Sequence, residues 1–177
     1  FLLAAMMARH GRPILQDTLV EQFWPGVAPK NGRKNLSQVL SDARKALYLN
    51  GFPEGFEPLV RRHDSVMLDE SINWWHDVDE FTSLAEKGRQ AVKQGDDKTS
   101  YQYLREAAAL MNGAYLEDCP IEWVAVRRRD LERQGLEVLS ELGRCCENLG
   151  LYPEAVEAAK KLLALDPLDQ TAHLFAG

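Results

Sequence analysis

Apolar positions in this chain recur mostly three and four residues apart, the spacing that gives a helix one water-shunning face. Phe1 to Arg9 reads as the end of an apolar helix, broken by His10-Gly11-Arg12-Pro13. The chain is therefore expected to be a piece of a longer protein. Leu15, Leu19 and Phe23 then mark a helix from about Gln16, with Asp17 suited to the dipole of its first turn and Trp24-Pro25-Gly26 ending it. A longer helix is expected from Asn31, as N-cap, to Tyr48. Beyond a Gly/Pro-containing loop, Asn50 to Pro58, the period changes. Leu59-Val60-Arg61-Arg62 and Val66-Met67-Leu68 flank the polar His63-Asp64-Ser65, which predicts a hairpin.

The second half returns to helical spacing. A linker with Trp74 and Trp75 leads to a helix near Asp79, whose buried side is marked by Phe81, Leu84, Ala85, Ala91 and Val92. Gly95-Asp96-Asp97 turns the chain into a helix of about Lys98 to Met111, and Asn112 to Pro120 reads as a loop. A long helix is expected over Ile121 to Leu149, then Gly150, a helix over Pro153 to Leu165, and Pro167 closing it. Residues 136–169 fit a tetratricopeptide-like unit, with Leu139, Leu142, Gly143, Ala155 and Ala159 at close-contact positions. Gly95, Leu104 and Leu110 form a weaker echo upstream. The fold class is thus mainly α: helix, helix, longer helix and hairpin, as in a winged helix-turn-helix, followed by an all-α tetratricopeptide-like domain.

The third helix has two unlike faces. Leu36, Val39, Leu40, Ala43 and Leu47 form one stripe, and Lys34, Gln38, Ser41 and Lys45 lie opposite it, with Arg33 and Arg44 on the flank. An ordinary solvated face mixes acids with bases. Here Asp42 is the sole acid among these cations. Side chains that donate to phosphates and base edges are what a major-groove helix presents, so this face, with Arg61 and Arg62 on the wing, is the candidate DNA contact. The milder readings are a solvated helix face and edge-strand charges that deter aggregation.

Charge distribution changes the weight of that candidate. The net charge of −6 argues against a polyanionic partner, yet residues 1–68 carry +3 and residues 69–177 carry −9. No run approaches the roughly 20 apolar residues of a membrane span, and three cysteines, two of them adjacent, do not suggest a disulfide framework. A reducing, cytoplasmic setting fits. Cys145 and Cys146 read as core filling, and no histidine stands at zinc-ligand spacing. Trp24 and Trp123 read as core, and Trp74 and Trp75 as packing at the domain junction. Arg127-Arg128-Arg129 reads as an exposed face paired with Glu132 and its neighbours. No catalytic triad order and no phosphate-binding glycine pattern stands out, so no catalytic residue, cofactor or metal is expected.

Taken in order, these pieces resemble the bacterial transcriptional activators of the antibiotic-regulatory-protein (SARP-like) type. Those proteins join an OmpR/PhoB-type winged helix to a bacterial transcriptional activator domain. The resemblance rests on Gly11-Arg12-Pro13, Asp17 with Leu19, Phe23-Trp24-Pro25, Asn35-Leu36, Leu40-Ser41 and Arg44-Lys45-Ala46-Leu47. It continues through Leu59-Val60, Asp77-Val78-Asp79-Glu80-Phe81, Tyr115-Leu116-Glu117-Asp118 and Trp123. Leu15 departs from the usual cap, and His63-Asp64-Ser65-Val66 replaces the usual Gly-Tyr wing tip.

The resemblance implies a winged-helix DNA-binding domain over 1–69, truncated at its N-terminal sheet, a linker over 70–78 and the activator domain over 79–177. It further implies binding of double-stranded promoter DNA, often as a homodimer, and recruitment of RNA polymerase or another protein through the helical domain. The alternative is a protein-interaction scaffold whose winged helix no longer binds DNA. A hydrolase or transferase finds no residues to carry it.

Overall fold

Leu19 and Val20 of one helix and Leu36 and Leu40 of the next are nearly sealed from water, and the first half of the chain is built around them. The computed structural model describes residues 1–9, 11–49, 51 and 55–165. His10, Asn50, residues 52–54, and the C-terminal stretch with Pro167 and His173 lie outside the described residues. The chain divides into two units, Phe1–Trp74 and Trp75–Gly177.

In the first unit the elements run α1 (Leu2–Met7), β1 (Ile14–Leu15), α2 (Gln16–Phe23), α3 (Pro29–Leu49), β2 (Leu59–Arg62) and β3 (Ser65–Leu68). The three strands form one antiparallel sheet in the order β1-β3-β2, with Ile14 opposite Val66 and Arg61 also opposite Val66 from the other side. The hairpin lies where its alternation predicted, though Ser65 belongs to β3, so the turn is His63-Asp64 alone. His63 takes up the tight reversal at φ 41, in the left-handed region where non-glycine residues are uncommon. Strand β1 was not expected. Two residues are too short to show a period, and only their pairing with β3 makes them a strand.

Helix α3 begins at Pro29, earlier than expected, and the carbonyl of Ala28 accepts from the N–H groups of Asn31 and Gly32. Proline suits the first helical position because its missing N–H is one that a helix leaves unbonded anyway. Asn31 therefore sits inside the helix. Leu36 and Leu40 are fully buried against α1, α2 and the sheet, each contributing on the order of 1.5–3 kcal/mol, and Val39, Ala43 and Leu47 pack beside them. Gly32 lies on the same stripe. A Cβ there would come within 2.2 Å of Val20 Cγ1, so glycine sets how closely α2 and α3 approach. Trp74 belongs to this unit, packed on its core with its indole N–H donating to the Asp69 carbonyl.

The second unit contains α4 (Asp77–Lys93), α5 (Asp97–Ala109), α6 (Glu122–Asn148) and α7 (Tyr152–Leu165), each packed on the next. Helix α4 starts at Asp77, two residues before the expected point, with acids at 77, 79 and 80 complementing its dipole. Asp96 caps α5 by accepting from the Thr99 N–H, which holds its carboxyl below the ordinary range. Phe81, Leu84, Ala85, Leu104, Val138, Leu139, Leu142, Cys145, Cys146, Ala155 and Ala158 share one core. Burial raises the Cys145 thiol, and the Cys146 thiol to about 11. At Gly88 a Cβ would meet Leu104 at 2.5 Å, so small residues again set a helix crossing. The molecule is mainly helical with one small antiparallel sheet.

Three details differ from expectation. Trp75 is 65% exposed, whereas Trp74 packs. Trp123 is only half-buried, and its indole nitrogen is covered without a partner. Arg127 pairs with Asp130, one of the acids neighbouring Glu132, but Arg128 does not join such a face and donates instead to the carbonyls of Tyr115, Leu116 and Glu117. The cause is α6 beside the loop: Arg128 fixes that loop, where Leu116 stands at φ 46.

Candidate nucleic-acid interface

Because α3 begins at Pro29, Lys30 lies one helical repeat before Lys34. At 100° per residue Lys30, Lys34, Gln38, Ser41 and Lys45 fall within an arc of about 80°, opposite Leu36, Leu40 and Gly32. Lys30, Lys34, Gln38 and Lys45 are exposed and Ser41 is half-buried. The side chains of Lys30 and Lys34 enter no hydrogen bond or ion pair among the described residues. Sealing of the apolar stripe is what turns these cations outward.

Asp42 stands at one edge of this arc. The Gln38 amide nitrogen lies 3.1 Å from each Asp42 carboxylate oxygen, and Lys45 Nζ lies 3.7 Å from one of them. The opposite flank is occupied by the protein itself. Arg33 makes a paired bond to Asp17 of α2, at 2.9 and 2.8 Å, which lowers the Asp17 carboxyl and raises the guanidinium. Arg44 donates to the Leu59 carbonyl at 2.8 Å, and its Nε is buried without a partner.

Along β2 side chains alternate between faces. Leu59 and Arg61 share the face toward the core, and Arg62 shares the outer face with Val60. Arg61 bridges Gln16 Oε1 on α2 at 2.7 Å and Ser37 Oγ on α3 at 3.4 Å. Arg62 is exposed, and its carbonyl accepts from Ser65 Oγ.

Of the eight residues nominated from sequence, Lys34, Gln38, Ser41 and Lys45 come together on one open face, with Arg62 on the wing. Arg33, Arg44 and Arg61 bind other elements of the same unit. These three hold α3 against α2 and the hairpin.

Two residues escaped sequence reasoning. Lys30 was left outside the helix, although proline at position 29 was the signal for the earlier start. Gln16 is the second: buried at 5%, it donates from its side chain to the His63 carbonyl at 3.0 Å and from its backbone to the Asp64 carbonyl at 2.7 Å. It thereby ties the hairpin turn to α2 while accepting from Arg61. Its position on the stripe with Leu19, Val20 and Phe23 was the available signal, since a polar group on an apolar face needs a partner.

Among the described residues no group of three or more His, Cys, Asp or Glu is placed to hold a metal, and no helix is long and apolar enough to cross a membrane. No curated protein matches the chain. The family model described as the bacterial transcriptional activator domain matches residues 76–176, more than half of the chain and the whole described helical unit apart from Trp75. That is a family of regulatory domains rather than of enzymes, which gives the chain a role in transcriptional activation. The chain belongs to the bacterial transcriptional activator domain family.

Proposed function

We propose that the first unit is a winged helix-turn-helix that binds double-stranded DNA, with α3 in the major groove and the hairpin on the backbone. The chain then acts as a sequence-specific activator. Its helical unit, read as a tetratricopeptide-like stack, recruits RNA polymerase or another protein, as the resemblance implies. The linker of this reading, 70–78, spans the step between the two compact units, with Trp74 packed on the first core. Dimeric binding, by resemblance, and a reducing cytoplasmic setting, from the cysteine usage, complete the reading.

One observation carries it: Lys30, Lys34, Gln38, Ser41 and Lys45 share an open arc on a helix whose opposite stripe is sealed. Lys30, Lys34, Lys45 and Arg62 serve as phosphate contacts, and Gln38 and Ser41 as groups near the base edges. Arg33, Arg44 and Arg61 act one step back, by holding α3 and the wing.

Fluorescence titration of the full chain against random-sequence duplex at two salt concentrations tests this. Binding that weakens steeply with salt is expected, because phosphate contacts release counterions. Absence of retention at low salt, with tight capture of a protein partner, supports the scaffold reading instead. That reading draws on the acidic second half and on the three inward-bonded arginines.

A further inference from the structure

We infer that Asp42 sets the base preference of this interface by accepting a hydrogen bond from the exocyclic amino group of a cytosine or adenine in the major groove. This rests on the DNA-binding reading above and deepens it. Asp42 is an acid on a surface otherwise suited to phosphates, and its side chain is 57% exposed. A carboxylate carried toward a polyanion is unfavourable unless its acceptor sites find donors. One donor and one cation are already in place. Gln38 Nε2 spans both carboxylate oxygens at 3.1 Å, and Lys45 Nζ at 3.7 Å offsets the charge.

The lone pairs that remain select among base edges. In the major groove only cytosine N4 and adenine N6 donate, whereas guanine presents O6 and N7 and thymine O4, all acceptors. Asp42 attracts the first pair and repels the second. The same contact changes the role of Gln38. A free glutamine reads adenine with amide nitrogen and oxygen together. Here the nitrogen is committed to Asp42, so Gln38 offers its Oε1, a second acceptor for the same amino group. Gln38 and Asp42 thus work as one reading unit, four residues apart, with Lys45 three residues on offsetting the charge beside it.

The test is selection of duplexes from a randomised library by the full chain, compared for the parent, Asp42→Ala, Gln38→Ala and Lys34→Ala. The parent is expected to enrich cytosine or adenine at one position of its site, and the base enriched tells the two apart. Asp42→Ala loses about tenfold of that discrimination, and Gln38→Ala loses preference at the same position. Lys34→Ala keeps the preference and lowers affinity for every sequence. All three positions are exposed, so thermal melts matching the parent are expected. An unchanged preference in Asp42→Ala, or a parent that binds duplex without any preference, overturns the role of Asp42 and leaves the interface standing. A parent that shows no salt-dependent binding to any duplex overturns both.

Discussion

The two units spend their charged side chains in opposite ways. The helical unit carries an excess of acids, and several of its cations are paired with them along and between helices. Arg89 meets Glu86 and Glu137, Arg133 meets Asp130 and Glu137, Arg127 meets Asp130, and Lys160 meets Glu157. In the first unit, three arginines bond to other elements of the same unit: Arg44 to a carbonyl, Arg61 to a glutamine and a serine, and Arg33 to a carboxylate at the surface. Lys30 and Lys34 are left on an open face without an acid partner among the described residues. A surface whose charges cancel has little pull on a distant polyanion, while one with adjacent unpaired cations has a great deal. The difference is what supports proposing the first unit as the polyanion-facing one despite the net charge of −6.

The strongest way to break this comparison is to remove one unit and keep the other. Leu40→Asp places a charge where exposure is 1%, and a loss of about 3–5 kcal/mol or more is expected for the first unit. Circular dichroism should then retain the helical signal of the second unit, whose core is separate. Loss of the whole signal contradicts that separation. Gln38→Ala, on the opposite face of α3, should leave the melt unchanged.

A smaller effect compares the two helix crossings. Gly32→Ala and Gly88→Ala each insert a methyl group into contact, at 2.2 Å from Val20 and 2.5 Å from Leu104, with an expected cost of about 1–3 kcal/mol each. The β-branched Val20 is stiffer than Leu104, so Gly32→Ala should cost more. Denaturant midpoints decide the order.

Smaller again is the contrast between cations. Lys34→Ala should reduce the salt slope of duplex binding by about one unit, whereas Lys160→Ala, paired with Glu157, should leave it as it is. Equal slopes in both variants remove the distinction between the surfaces.

The smallest effect is a pH dependence in the helical unit. Burial raises the Glu141 carboxyl, one oxygen of which has no partner. The folded chain therefore holds a proton there more readily than the unfolded chain. The resulting stability is present below the ordinary carboxylate range and lost as pH rises through the elevated folded value. Glu141→Gln removes this dependence, and its melting temperature should exceed the parent's by about one or two degrees near pH 7, and less near pH 4. A constant difference across pH contradicts the assignment.

Much of the fold was legible because long periodic segments carry their own signal. The stripe of Leu36 and Leu40, the turn at Gly95 and the break at Gly150, each glycine with positive φ, all lie where spacing placed them. Strand β1 and the start of α3 were not, since one depends on pairing with a distant strand and the other on a single proline. The candidate interface was legible as a face but not as a set of contacts. Periodicity places Arg33, Arg44 and Arg61 near the surface. It says nothing of the Asp17 carboxylate, the Leu59 carbonyl or the Gln16 amide that claim them. Gln16 was missed for the same reason, since its partners lie far along the chain, whereas Asp42 was legible as the lone acid of the face but not as the partner of Gln38 and Lys45.

The central claim, that the outward face of α3 meets DNA, is tested most directly by amide hydrogen exchange of the full chain with and without a random duplex at low salt. Added protection is expected along Lys30–Lys45 and at Arg62, with little change in α6 and α7. Protection confined to the helical unit, or none anywhere, contradicts it.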